Sequence, residues 1–441
     1  MPRRHTPERH LAPHPGTPRV TYLTALTLRT QKFRLTRRVP DGENEGVPVT
    51  DAPRVSVADL AAGAAGNHAG LTSLDDLGQV ADPLVLVELD GTAPPAVVAR
   101  AAARARDGGR LFVGVGSWPV PESVRPLLAA LDVTLVPATG GPDPAVTVTG
   151  PHAAEAVATR SRACVAVSDP CAEAQALAAA AARCPQAALV LAQVLRASES
   201  LPVPAALDVE SFAYSMLLGG AEFRRWLDGR GERPPAALVA EPVLTRRDRD
   251  RLLVTLNRPE RRNAYGRQLR DALTDALRVA VLDPDVRRVV LDGAGPAFCS
   301  GGDLAEFGTA PDLVTAHFVR TLGGAGRLVS ELKDRTEVHV HGPCVGAGIE
   351  IPAFAGTVIA DEGTTFTLPE VSMGLIPGAG GTVSIPRRIG RWRTLYLALT
   401  GRPLDAPTAR SWTLIDRIQP RCPMLPLEGG QGSSDSTRTE G

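Results

Sequence analysis

At 441 residues the chain is too long for one ordinary domain, and its 44% apolar content is ample for packed cores. Basic and acidic side chains balance at 48 each, so no global field draws the chain to nucleic acid or to an anionic membrane. No apolar run reaches the roughly 18 residues that cross a bilayer, and the Arg-, His- and Pro-rich start has no signal-peptide core. A cytoplasmic protein with neither nucleic-acid nor membrane partner is the expectation, built as two domains with poorly ordered ends.

Residues 1–80 open with MPRRHTPERHLAPHPGTPR, whose prolines and charges bury too little surface to fold alone. From Val20 a modest alternation of apolar and polar residues suits one or two strands without chemistry. Over 81–231 the texture changes. PLVLVELDG, RLFVGVG, DVTLVPA and ACVAVS read as buried strands, PPAVVARAAARARDG as a helix between the first two, and Ala172 to Leu227 as a run of helices. That rhythm is an α/β layer.

GERPPAALVAEP forms a Pro-rich joint. The region 240–418 beyond it again alternates strands (RLLVTLN, RRVVLDG, EVHVHG, GTVIAD) with helices. One helix, Gly266 to Leu282, carries Leu269, Leu273, Ala276, Leu277 and Ala280 on one face. Residues 419–441 have the composition of a disordered end. The six cysteines, Cys164, Cys171, Cys184, Cys299, Cys344 and Cys422, form no CxxC pair and show no His/Cys ligand spacing. Buried free thiols are therefore expected, and no metal site.

Residues with chemical potential concentrate between His341 and Gly381. Gly346-Ala347-Gly348 is followed by Glu350, and Glu370 lies inside TLPEV ahead of Gly378 to Gly381. Two carboxylates thus sit between two glycine turns. Glycine and alanine ahead of an apolar run let the backbone approach a ligand and leave the first helical N–H groups unpaired. Such donors can face a developing oxyanion. Upstream, a strand from Arg288 to Leu291 runs into a loop ending Ser300-Gly301-Gly302-Asp303, where Gly302 offers a second N–H.

Structural readings compete at several positions. Glu350 could be a helix-surface acid favoured by the dipole, although Ile349 and Ile351 beside it are apolar. Asp303 suits a cap on the following turn. His339 and His341, alternating with apolar residues, suit paired core or edge histidines, and Cys299 suits a packing residue better than a nucleophile.

LNRPERRNA (Leu256 to Ala264), AFCSGGDLAEF, HGPCVGAGIE, FTLPEVSMGLIPGAGGTVSIPRRIG and LALTGRPLDAPTA occur in this order. Together they resemble the crotonase superfamily, the enoyl-CoA hydratase/isomerase family. The resemblance implies an α/β fold with a ββα spiral core over 240–418. The α/β region before it then reads as a degenerate copy that lacks both glycine blocks and both acids.

As substrate the resemblance implies an acyl-CoA thioester, with coenzyme A part of the substrate and no separate cofactor. It also implies an oxyanion hole from the N–H groups of Gly302 and Ala347, and catalysis by Glu350 and Glu370. Substrate binding falls to Arg262, Ala264, Gly301, Asp303, Leu304 and Gly346. Arg261 and Arg262 lie near the family's adenine and phosphate contacts, with a solvated pair as the alternative.

Hydration or isomerisation of an enoyl-CoA, in fatty acid metabolism, is the implied reaction. The cofactor-free arylacetyl-CoA dioxygenase branch and a non-catalytic partner subunit stay open as alternatives. Family members form homo-oligomers of the trimer type with helices that continue the core. Here the resemblance stops after Ile418, which leaves a homo-oligomer open but puts the trimer type in doubt: either the reading frame is damaged or the helices from Ala172 to Leu227 cover the core from the N-terminal side.

Overall fold

Runs of valine and leucine bounded by Gly, Pro or Asp form the first sheet, because branched apolar side chains fit a pleated, buried surface. The computed structural model describes residues 52–63, 74, 78–138, 162–235 and 237–420, all within the compact unit Val49–Gly441. The alternation from Val20 and the end beyond 420 lie outside the described residues.

Strands β1 (Arg54–Ser56), β2 (Leu84–Leu89), β3 (Leu111–Gly116), β4 (Val133–Pro137) and β5 (Cys164–Val167) are all parallel and neighbour one another in chain order. Helices α1 (Val57–Ala62), α2 (Pro95–Asp107) and α3 (Arg125–Leu128) lie between strands in the chain. Because β1 pairs with β2, the layer begins at Arg54, earlier than residue 81. A local signal marks that start: Ser56 and Asp59 form a reciprocal capping box on α1.

Four helices follow: α4 (Pro170–Arg183), α5 (Pro185–Ser198), α6 (Val203–Leu218) and α7 (Ala221–Arg230). Asp169 caps α4 through the N–H groups of Cys171 and Ala172. For α5 the same need is met from a distance, since Glu222 on α7 accepts from Gln186 N at 2.8 Å and Ala187 N at 3.0 Å.

The remaining chain builds a six-stranded sheet and a three-stranded one. β6 (Val243–Asp248) and β7 (Arg251–Leu256) form an antiparallel hairpin. Helix α8 (Arg267–Leu282) leads to β8 (Arg288–Gly293), and α9 (Leu313–Gly323) and α10 (Ala325–Glu331) lead to β9 (Thr336–Val340). β10 (Pro343–Val345) starts the small sheet, followed by α11 (Ala347–Glu350), β11 (Thr357–Ala360) and β12 (Thr365–Thr367). Last come α12 (Gly381–Ile389), α13 (Arg391–Thr400), β13 (Leu404–Asp405), α14 (Ala406–Ser411) and β14 (Arg417–Ile418).

The large sheet runs β14-β11-β9-β8-β7-β6 and the small one β10-β12-β13. The architecture is the expected α/β, and in the large sheet each parallel strand lies beside its predecessor in that sheet. The N-terminal layer shares the sequential order; among the described residues it has no counterpart of the small sheet.

One hydrophobic cluster joins the layers, running from Leu86 and Leu135 through Leu191 and Leu195 to Leu252, Phe298 and Ile385. Burying each such side chain is worth about 1.5–3 kcal/mol. Trp392 on α13 packs into a second cluster with Leu127 and Leu131 and donates its indole N–H to Leu131 O at 3.0 Å. Asp132 accepts from Phe112 N at 2.8 Å and pairs with Arg196 of α5 at 2.6 Å. Among the described residues no single helix is long and apolar enough to cross a membrane.

Candidate active site

Two loops that follow β8 and β10 meet edge to edge. Val345 N donates to Cys299 O at 3.2 Å, and the loop after β8 is held as well by Tyr265, ahead of α8, whose N–H donates to Gly301 O at 2.7 Å. The approach is so close that a Cβ on Gly348 would lie 2.1 Å from Cys299 O, which only glycine avoids. Gly302 and Ala347, one from each loop, line a single cavity of about 860 Å³. Among the described residues neither main-chain N–H donates to a protein acceptor. Cys299 is buried, and burial pushes its thiol up to about 12, which suits packing rather than a nucleophile.

Glu350 and Glu370 line the same cavity. Glu350, 2% exposed, accepts at Oε2 from Ala379 N at 2.7 Å and Gly381 N at 2.9 Å. Glu370, 8% exposed, begins the 3-10 turn Glu370–Met373, and its buried Oε2 has no hydrogen-bond partner. Gly346 separates the two acids: at φ 49° its missing Cβ would lie 2.5 Å from Glu370 Oε1 and 3.5 Å from Glu350 Oε1. Any side chain there would displace a carboxylate, so the glycine is required by close approach as well as by backbone angle.

A third buried acid comes from the N-terminal side. Glu210 on α6, 2% exposed, accepts from Gly380 N at 2.8 Å, Thr382 N at 2.9 Å and the Thr382 hydroxyl at 2.7 Å. Its neighbours on the cavity wall, Leu207, Tyr214, Leu218, Phe223 and Leu227, also belong to α6 and α7.

Three buried carboxyls lining one cavity resist ionisation together. Burial pushes Glu370 up to about 8. Burial likewise raises Glu210 to about 7, against the hydrogen bonds from Thr382 and Gly380. For Glu350, burial and then the neighbouring Glu370 and Glu210 hold the carboxyl well above its ordinary value.

Of the other residues singled out by sequence, Asp303 lines the cavity but is engaged locally. Its Oδ1 accepts from Ala305 N at 3.0 Å and pairs with Arg261 at 2.7 Å, so Arg261 is tied to the loop and is not a free solvated cation. Arg262, Ala264, Gly301, Leu304 and Gly346 are not among the lining residues. Arg262 is exposed and its carbonyl accepts from Ser300 N at 2.9 Å, Ala264 is buried, and the Leu304 carbonyl accepts from Arg230 of α7. His339 lies 2.7 Å from Glu337, and buried His341 lies 3.1 Å from Gly295 O, both away from the cavity.

Sequence reasoning missed Glu210 and Arg320. Glu210 had one signal, an acid on the stripe Ala206, Glu210, Leu217 that faces inward along α6. Arg320 on α9 lines the cavity, donates to Ser211 Oγ at 3.1 Å and lies 4.6 Å over the Tyr214 ring. Nothing in its local sequence marks that placement.

A family model described as enoyl-CoA hydratase/isomerase matches residues 250–425. Among curated relatives, a "probable enoyl-CoA hydratase echA8" of Mycobacterium tuberculosis is 33% identical over 190 residues, 43% of this chain and 72% of that protein. A 1,2-epoxyphenylacetyl-CoA isomerase of Escherichia coli is 34% identical over 185 residues, 41% of this chain and 70% of its own. Among solved structures, a carnitinyl-CoA dehydratase from Mycobacterium avium is 39% identical, with 41% of this chain and 71% of that chain covered and a TM-score of 0.37.

Proposed function

The chain belongs to the enoyl-CoA hydratase/isomerase family, and on that premise we propose that its cavity binds an acyl-CoA thioester whose enoyl group is hydrated or isomerised by Glu350 and Glu370. The observation that carries this reading is the unpartnered, buried Oε2 of Glu370, in one cavity with Glu350 and two unengaged main-chain N–H groups. A buried acceptor without a partner is costly to a fold. A reacting water would supply the hydrogen-bond partner it lacks.

In this reading the N–H groups of Gly302 and Ala347 hold the thioester oxygen as it gains enolate charge, each worth about 3 kcal/mol in a water-poor site. Hydration then needs two proton transfers. The oxygen of water bonds the β-carbon while its proton passes to one carboxylate, and the enolate takes a proton at the α-carbon from the other acid. Because Oε2 of Glu350 is held by two N–H groups, Oε1 is the oxygen left to exchange a proton. Burial that holds both acids above the ordinary range suits groups that give and take protons near neutral pH. Isomerisation uses the same hole and moves one proton between carbons. Coenzyme A enters as part of the substrate, and the chemistry calls for no further cofactor.

The test is a panel of enoyl-CoA esters followed by loss of the enoyl-thioester absorbance, beside an oxygen electrode. Absorbance loss or double-bond migration without oxygen uptake supports the proposal. Oxygen uptake with an arylacetyl-CoA points to the dioxygenase branch, and binding without turnover of any ester points to a partner subunit.

A further inference from the structure

The turn from Ala379 to Thr382 is gripped from two sides. Ala379 N and Gly381 N donate to Glu350, whereas the N–H groups of Gly380 and Thr382 donate to Glu210. Four successive main-chain donors thus alternate between two carboxylates, one from the core and one from α6. We propose that Glu210 is a positioning residue for the acid–base chemistry, fixing this turn from its far side and, through the turn, the orientation of Glu350. The inference rests on the proposed role of Glu350.

Holding a turn needs only a polar cap, and a neutral amide or hydroxyl would be cheaper to bury than a carboxyl. A carboxyl supplies two further properties. Its two oxygens accept three donors at once, Oε1 from Gly380 and Oε2 from both donors of Thr382. Once ionised, above about 7, its charge also acts on Glu350 and Glu370, raising both. The other titratable groups facing this cluster are Tyr214 from α6, Arg320 from α9 and Cys299 from the loop after β8, and Arg320 lies on the Tyr214 ring. Arg320 is the cation that acts on Glu210, lowering it, but burial outweighs that attraction and leaves Glu210 raised.

The experiment uses the full chain with Glu210→Gln, Glu210→Asp and Thr382→Val, each alone and combined with Glu350→Gln. Glu210→Gln is expected to lower kcat about tenfold or more with KM within about twofold, since a small misplacement of a reacting group costs up to ~10²-fold. The pH limb of kcat should move to lower pH, because a charge that raises both core acids has been removed. Glu210→Asp should keep that limb near its wild-type position.

Residues that act as one unit lose activity non-additively. Glu210→Gln should therefore add little to the loss in Glu350→Gln. A loss that multiplies fully in both backgrounds, or an unshifted pH limb with only a lower melting temperature, would overturn the proposal and leave Glu210 as packing. Should Glu210→Gln fail to fold, Thr382→Val removes one donor while keeping shape, and the same backgrounds decide. Full activity in Glu350→Gln alone would instead overturn the reading of the site itself.

Discussion

Glu210 and Thr382 lie 172 positions apart, and Glu210 accepts both the main-chain N–H of Thr382, at 2.9 Å, and its hydroxyl, at 2.7 Å. One side of the cavity is therefore built by helices that precede the core in the chain. Leu207, Tyr214, Leu218, Phe223 and Leu227 are its apolar face, and Glu210 its polar anchor.

Removing those helices should be severe. A chain beginning at Pro234 loses that face and leaves the N–H groups of Gly380 and Thr382 without their acceptor, at about 1–3 kcal/mol for each unsatisfied group. Typical net stability is only about 5–15 kcal/mol. The shortened chain is expected to aggregate, whereas the full chain stays monodisperse in size-exclusion chromatography with light scattering. A folded, monodisperse product from Pro234 onward would show that the helices are dispensable.

Glu370→Gln keeps the shape of the side chain and removes its capacity to exchange a proton. Turnover should fall about 10²-fold or more while acyl-CoA binding, followed by thermal shift, is largely kept. Retention of more than about a tenth of the wild-type rate at saturation would exclude the acid–base role.

Glu350→Gln tests how the two acids divide the work. Water addition should cease while solvent deuterium still enters at the α-carbon, detected by mass spectrometry of the recovered thioester. Equal loss of both would assign Glu350 to substrate positioning alone.

Stability should depend on pH in a definite direction. Folding raises Glu210 to about 7 and Glu370 to about 8 from an ordinary value of 4.5. Between these values the folded chain holds protons that the unfolded chain has released, so stability from these acids is full below 4.5 and lost as pH rises through 7 and 8. The melting temperature should fall across that window, and the Glu210→Gln/Glu370→Gln double variant should flatten the fall. A melting temperature that climbs with pH there would contradict the burial of these acids as neutral groups.

Much of the architecture was legible because its causes are local. The valine-rich runs at Leu84–Leu89, Leu111–Gly116 and Val133–Pro137 form strands where their pattern calls for them, since strand formation follows alternation and branching over a few residues. The loop glycines were legible for the same reason. A backbone that must pass within 2.1 Å of where a Cβ would stand, as Gly348 does beside Cys299, declares itself by having none. Local pattern failed where a short element depends on a distant partner: β1 has only three residues and exists because Leu86, Val87 and Glu88 lie beside it.

From sequence alone came the α/β class, the family, and the two acids between two glycine turns. Only the tertiary structure decided that Glu350 and Glu370 share one cavity with Gly302 and Ala347, that Arg261 is taken by Asp303, and that Glu210 from α6 holds the turn on which Glu350 rests. The physical reason is separation. A glycine's backbone angle is set by its immediate neighbours, whereas a carboxyl's protonation and hydrogen bonds are set by whatever lies within a few ångströms once the chain has folded, and for Glu210 that is a turn 170 residues further on.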